Sequence, residues 1–144
     1  MAQYGHWHID IIPWMRWKSS TTMSPTRTND STALGMAYAN AAAGVAGAHI
    51  EWDAALTDGT WTLTVIYAKG PASGIITASI DGVDLAPTFD AYAAAGTFNQ
   101  VVQWTGIVVS TAGNKEVKFR ADTKNASSSN YGFAPQLINF TRTA

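Results

Sequence analysis

Residues 49–80 alternate between apolar and polar side chains, and this pattern constrains the fold more than any other feature of the sequence. Within 50–56 the apolar residues fall on one face of a strand and the acidic residues on the other, because successive side chains of a strand point to opposite faces. The apolar set is Ile50, Trp52, Ala54 and Leu56. Asp58 and Gly59 follow as a turn pattern and the alternation resumes over 60–67, so we predict a β-hairpin.

Further strands are predicted toward the C-terminus. A second hairpin turn is expected at Asp81-Gly82. The β-branched run 99–109 forms a long strand that Gly106 is expected to bend. The last strands are predicted over 115–121, with Val117, Phe119 and Ala121 facing inward, and over 133–141.

Two Ala- and Gly-rich stretches, 39–47 and 91–96, lie between these strands. Alanine favours helix, but both stretches are short and interrupted by glycine, so we predict packed loops or single helical turns. About seven or eight short strands without a long amphipathic helix predict an all-β protein with an antiparallel β-sandwich.

The N-terminal part differs in character from the rest. Residues 7–12 can form a strand, whereas 13–18 and the Ser/Thr-rich run 19–32 are predicted to be irregular. We therefore divide the chain into an N-terminal strand and extended arm, 1–32, and a β-sandwich, 33–144.

The composition restricts the partners that the chain can bind. Its 144 residues are 47% hydrophobic, which suits one domain with a substantial core. Nine Lys and Arg residues against ten Asp and Glu residues do not supply the clustered basic surface that nucleic-acid binding needs. No apolar run approaches the ~18 residues of a membrane span. We expect neither nucleic acid nor membrane as a partner.

No residue pattern is typical of a catalytic centre. The chain has no cysteine, no Gly-x-Ser-x-Gly elbow and no phosphate-binding glycine-rich loop. His6 and His8 would share a strand face, as in some metal sites, but the third histidine, His49, is distant in sequence. Glu51 and Asp53 also share a face, which suits either a calcium site or a solvated strand. We predict no enzymatic activity, no metal site and no cofactor.

Tryptophan is abundant, with six in the chain. Trp52 and Trp61 occupy apolar positions of the alternating strands, so we predict that they lie in the core. Trp104 is compatible with either a core or a surface position.

The remaining tryptophans lie in the arm, where no core periodicity includes them. Trp14 and Trp17 flank Arg16 and precede Lys18, and Trp7 begins the first predicted strand. An exposed cluster of this kind favours aggregation of a monomer, so we predict that a partner surface covers it.

Residues 50–143 resemble a jelly-roll module found in bacteriophage virion proteins, which include head fibres, decoration proteins and tail appendages. The resemblance rests on the motifs EWDAAL (51–56), GTWTL (59–63), SIDG (79–82), TGIVVS (105–110), KNASSS (124–129) and LINFTRT (137–143). The module is similar in outline to carbohydrate-binding modules. The resemblance implies a jelly-roll sandwich and a virion or adhesive role, and it supplies no catalytic residue.

Two functions of a virion protein compete under the resemblance, and a non-viral sugar-binding module is a third option. In the first, the chain is a capsid decoration or cement protein on the outer surface of a virion head. It would bind the major capsid protein or another virion protein through its arm, as a homo-oligomer that we expect to be a trimer. A chain of 144 residues accommodates a sandwich and an arm but no fibre shaft, which favours this hypothesis.

The second hypothesis is a receptor-binding or glycan-binding appendage. Its loops would stack sugars on exposed aromatic residues, for which the candidates are Tyr92, Phe98 and Tyr131.

Overall fold

The structure, a computed structural model, describes residues 8–19 and 23–144. Within these residues it is all-β, with one short 3-10 turn at Leu34–Met36. The strands are β1 (His8–Ile11), β2 (Lys18–Ser19), β3 (Met23–Asn29), β4 (Ala37–Ala43), β5 (Ala48–Leu56), β6 (Gly59–Lys69), β7 (Ile75–Ile80), β8 (Val83–Asp84), β9 (Phe89–Asp90), β10 (Thr97–Val109), β11 (Gly113–Thr123) and β12 (Ala134–Arg142).

These strands form two antiparallel sheets and a separate hairpin. The first sheet has the order β1-β12-β6-β10, and the second has the order β2-β5-β11-β7-β8, with β9 also pairing with β7. The hairpin is formed by β3 and β4, and it joins the end of β12 through two backbone hydrogen bonds of 2.9 Å between Ala41 and Phe133. The predicted all-β antiparallel sandwich is confirmed.

The core lies between the two sheets and is rich in aromatic rings. The predicted inward-facing residues of β5, β6 and β11 are all buried, among them Trp52 and Trp61. Trp104 is also buried, and its ring packs 5.8 Å from that of Phe89. The indole N–H of each of these three tryptophans donates a hydrogen bond to a backbone carbonyl, so none of the three is left unsatisfied in the core.

The hairpin predicted from 50–67 is wrong, although the strands and their inward faces are right. β5 and β6 lie in different sheets, and residues 57–58 carry the chain across the end of the sandwich. Trp52 and Trp61 therefore reach the core from opposite sides. The hairpin predicted at Asp81-Gly82 is confirmed, because β7 and β8 pair around it.

The Ala-rich stretch 39–47 was expected to be a loop or a helical turn, and for 39–43 this is wrong. β4 covers Ala37–Ala43, with Tyr38 and Asn40 facing outward between buried alanines. The small side chains let this strand pack closely, and burial overrides the helical preference of alanine. The other Ala-rich stretch, 91–96, is a loop as predicted, but only its first residue is buried and residues 94–96 are exposed.

The irregular arm predicted over 19–32 is also wrong for part of its length. Residues 23–29 form β3, whose Met23 is fully buried. Its Pro25 is tolerated because β4 is the one strand among the described residues that pairs with β3. β3 pairs with β4 across the predicted boundary at residue 32, and that boundary stays a prediction. Among residues 8–19 and 23–144, no helix has the length and apolar character needed to cross a membrane.

Candidate functional site

Three loops meet at one end of the sandwich and form what we call the loop cluster, residues 70–74, 91–96 and 124–132. Backbone hydrogen bonds connect them: the Gly70 N–H donates to Ala91 O at 3.0 Å, and the Gly132 N–H donates to Ala72 O at 2.8 Å. Gly74 N–H donates in turn to Gly132 O at 2.8 Å. These bonds make the loops a connected scaffold on which side chains can hold fixed positions.

The buried Ser128 strengthens this scaffold. Its hydroxyl lies 2.7 Å from Ser73 O and 2.9 Å from Asn130 O, which joins the 70–74 loop to the 124–132 loop. The Asp90 carboxylate accepts a hydrogen bond from the Tyr92 N–H at 2.9 Å and another from the Asn125 side chain at 2.8 Å. The loop cluster is therefore held by side chains as well as by backbone.

A cleft of about 250 Å³ opens beside the loop cluster, and we call it the end cleft. An aromatic pair lines it, Tyr38 and Phe98, whose ring centroids are 5.4 Å apart at an interplanar angle of 59°. A polar residue, Asn40, and a basic residue, Lys69, also line the cleft. The remaining lining residues are small: Ala68, Gly70, Pro71, Ala72, Ser73, Gly96 and Ala134.

The position of Phe98 is set by the residue that follows it. Asn99 has a φ of 59°, in the left-handed region, and the pairing of β10 with β6 shifts register between Thr97 and Gln100. The Asn99 N–H donates to Gln136 Oε1 at 2.8 Å, and Gln136 Nε2 donates back to Asn99 Oδ1 at 2.8 Å. This bulge places the Phe98 ring against Tyr38.

Asn99 also holds the segment that leads into Tyr38. Its amide donates to Thr32 O at 3.0 Å, and its Oδ1 accepts from the Leu34 N–H at 2.9 Å. The Asn99 side chain therefore holds the backbone segments that precede Tyr38 and follow Phe98.

Of the three residues predicted to stack sugars, Phe98 lines the end cleft, whereas Tyr92 and Tyr131 are not among its lining residues, and all three are half-buried rather than exposed. Tyr92 pairs with Gly70, which lines the cleft. Tyr131 lies in the third loop, where the Lys124 ammonium sits 5.2 Å from its ring centroid. Their role in binding stays a prediction.

Sequence reasoning missed Tyr38, the partner of Phe98. The alternation of Tyr38 and Asn40 with alanines over 37–41 is a strand pattern that could have identified it as an outward-facing aromatic residue.

The predicted partner-binding residues of the arm make different contacts. Arg27 lies 5.9 Å from the Trp14 ring centroid, and Lys18 Nζ pairs with Asp53 at 2.9 Å. Arg16 and Trp17 are exposed, Trp17 by 37%, on the turn between β1 and β2. Trp7 lies outside the described residues. The partner-binding role of these residues stays a prediction.

The histidines and acidic residues considered as metal ligands have other contacts. His8 Nε2 lies 3.1 Å from Asp10 Oδ1, while His6 is outside the described residues. Glu51 and Asp53 each contact a lysine within 3.3 Å. Residues 8–19 and 23–144 contain no group of three or more His, Cys, Asp or Glu side chains that could hold a metal ion.

The polar face of the second sheet is a network of ion pairs. Lys118 Nζ lies 2.7 Å from Glu116 and 3.3 Å from Glu51. The hydrogen bond with Lys118 lowers the pKa of Glu116, and the same bond raises the pKa of Lys118. Arg120 contacts Asp122 and Asp84, and these hydrogen bonds raise its pKa further. The charged groups of this network are therefore paired with one another, although the buried Oε2 of Glu51 contacts Lys118 without forming a hydrogen bond.

A larger groove of about 470 Å³ lies along the open edge between β8 and β10. It is lined mainly by aliphatic side chains, with Trp104 at its base, and Asp81 pairs with Lys115 at 3.1 Å. Trp104 is only 4% exposed, so it offers no ring face for stacking. Of these two sites, the end cleft is the one that combines accessible aromatic rings with polar residues.

The fold is a jelly-roll β-sandwich of the kind found in carbohydrate-binding modules. Part of a Paenibacillus xanthan lyase superposes with a TM-score of 0.70 and 22% identity, over 85% of this chain and 12% of the lyase. A carbohydrate-binding module of a Cellvibrio mixtus lichenase, in complex with cellotriose, has a TM-score of 0.59 and 15% identity, over 94% of this chain and 98% of the module.

The C-terminal family 6 carbohydrate-binding module of a Zobellia galactanivorans laminarinase gives a TM-score of 0.57 and 13% identity, over 94% of this chain and 99% of the module. The chain therefore spans nearly the whole of these modules and only a small part of the lyase. No protein-family model and no curated protein matches the sequence. At these identities the likeness establishes the fold.

Proposed function

We propose that this chain is a non-enzymatic glycan-binding module that holds a saccharide in the end cleft. The observation that carries the proposal is the Tyr38–Phe98 pair, which presents aromatic surface in a concave site beside Asn40 and Lys69. The apolar face of a sugar ring packs on aromatic rings, while its hydroxyl groups need polar partners at the edge. The end cleft offers both.

The fold comparisons support this proposal over capsid decoration. The solved structures with similar folds include carbohydrate-binding modules, one of them in complex with cellotriose. The decoration hypothesis, in which a trimer attaches to a virion head through the arm, is supported by the resemblance of the sequence motifs alone. We therefore favour glycan binding, which the appendage and the non-viral sugar-binding module predicted from the sequence have in common.

The proposal is tested by affinity electrophoresis and calorimetry with a panel of soluble polysaccharides and oligosaccharides that includes cellotriose and xanthan. We expect saturable binding to at least one of them. Tyr38→Ala and Phe98→Ala should each weaken it by about tenfold or more, which corresponds to about 1.4 kcal/mol of lost contact.

Trp17→Ala is the matched control, because Trp17 is an exposed aromatic residue outside the end cleft. It should leave the affinity unchanged. Absence of binding across the panel, or equal losses for Trp17→Ala and Phe98→Ala, would contradict the proposal.

A further inference from the structure

Among the described residues that line the end cleft, Lys69 is the one that carries a charge. It is the last residue of β6 and pairs with Thr97, the first residue of β10, so its position is fixed by the first sheet. Its side chain belongs to a half-buried residue beside the aromatic pair. The cleft therefore combines stacking surface with a positive charge.

Lys69 differs from the lysines of the second sheet in having no carboxylate partner. Lys18, Lys115 and Lys118 each form an ion pair with an acidic side chain. All ten acidic residues lie within the part of the chain that the structure describes, and none of them comes within ion-pair distance of Lys69.

Asp90, the last residue of β9 and a neighbour of the loop cluster, does not neutralise this charge either. Asp90 uses one carboxylate oxygen for the Tyr92 N–H and the other for the Asn125 side chain, and it does not line the end cleft. An ammonium group without a counter-ion attracts an anion, and at a half-buried residue such as Lys69 the screening by water and salt is weaker than at a fully exposed one.

We propose that the saccharide held in the end cleft is anionic, with its acidic group paired to Lys69 while a sugar ring packs on Tyr38 and Phe98. This inference rests on the proposed function and names its substrate class. The acidic group is a carboxylate, as in a uronic acid, or a sulfate ester. Both are monovalent oxygen anions of the kind that a lysine ammonium binds.

The test uses the full chain and two matched pairs of polysaccharides in native affinity gels. Polygalacturonate is compared with its methyl ester, and dextran sulfate with dextran, so that each pair differs in charge. Alginate and xanthan extend the carboxylated set. We expect tighter binding to the charged member of at least one pair, and the pair that responds identifies carboxylate or sulfate.

Variants of Lys69 test whether the preference for charged polysaccharides arises in the end cleft. Lys69→Gln should weaken binding of the charged polysaccharide about five- to tenfold, as expected for a partly buried ion pair, and Lys69→Arg should retain most of it. Lys18→Gln makes the same change in net charge at an exposed site outside the cleft and should have no effect. The preference should also weaken between about 50 mM and 300 mM salt.

The outcomes separate this inference from the proposed function. If neutral and charged members bind equally and Lys69→Gln changes nothing, the inference is wrong while glycan binding stands. Equal effects of Lys69→Gln and Lys18→Gln would also overturn it, because they would indicate attraction to overall charge. If nothing in the neutral or charged panel binds, the proposed function itself fails.

Discussion

Replacing Gln136 with leucine should weaken both the fold and the end cleft. Gln136 is 2% exposed and makes a reciprocal pair of 2.8 Å hydrogen bonds with Asn99, the residue that follows Phe98. Leucine has a similar size and no polar group, so Gln136→Leu removes both bonds with little change in packing volume.

The expected cost follows from these contacts. Two hydrogen bonds contribute about 1 kcal/mol each, and a stranded N–H costs roughly 1–3 kcal/mol when it is shielded from water. Asn99 Oδ1 keeps its hydrogen bond from the Leu34 N–H, and Asn99 is itself exposed. The free energy of unfolding should therefore fall by about 2 kcal/mol, near the lower end of this range. With a urea m-value of about 2 kcal/mol/M, the unfolding midpoint should fall by about 1 M.

The assay is urea unfolding followed by tryptophan fluorescence, combined with the affinity of each variant for the saccharide. Two variants of Asn99 complete the set, and both remove its side-chain hydrogen bonds. Glycine accepts the φ of 59°, whereas Asn99→Ala lowers the free energy of unfolding by about 1 kcal/mol more through left-handed strain. A loss under about 0.5 kcal/mol for Gln136→Leu, or an unchanged affinity in the folded variant, would refute this account of how Phe98 is positioned.

Other predictions concern the loops and turns. Ser128→Ala should cost about 1–2 kcal/mol in thermal or urea unfolding, because its hydroxyl joins two loops; a neutral result would contradict that role. Gly74→Ala should destabilise more than Gly82→Ala, since a Cβ at Gly74 would lie 2.8 Å from a methyl group of β11 whereas Gly82 has open space and only left-handed strain; the reverse order in urea unfolding would refute this. A hydrogen bond from the Glu116 N–H lowers the pKa of Asp81, so Asp81 stabilises the fold above its unfolded pKa and loses this contribution as pH falls through its folded pKa. The acid-induced loss of stability should be shallower in Asp81→Asn when unfolding is measured from pH 7 to pH 2, and an unchanged slope would contradict it.

The sequence identifies the strands and their buried faces because strand periodicity is a local property of the backbone. It does not identify which strands pair. Residues 57–58 could close a hairpin or cross between sheets, since both solutions bury Trp52 and Trp61. The choice depends on β10, β11 and β12, which pair with these strands from far along the chain.

The strand β4 escaped prediction for a different reason. Its buried residues are alanines, whose weak hydrophobic signal and helical preference hide the period-two pattern. Tyr38 was missed with it. The contact between Tyr38 and Phe98 joins residues distant in sequence and depends on the side-chain bonds of Asn99, so only the folded structure shows it.

The most direct test of the account is a two-dimensional NMR titration of the isotope-labelled chain with its tightest-binding saccharide. The account predicts that the largest shift changes fall on the amides of Tyr38, Lys69 and Phe98. Changes centred instead on the exposed turn around Trp17, or on the groove at Val108, would show that the saccharide binds elsewhere and would contradict the assignment of the end cleft.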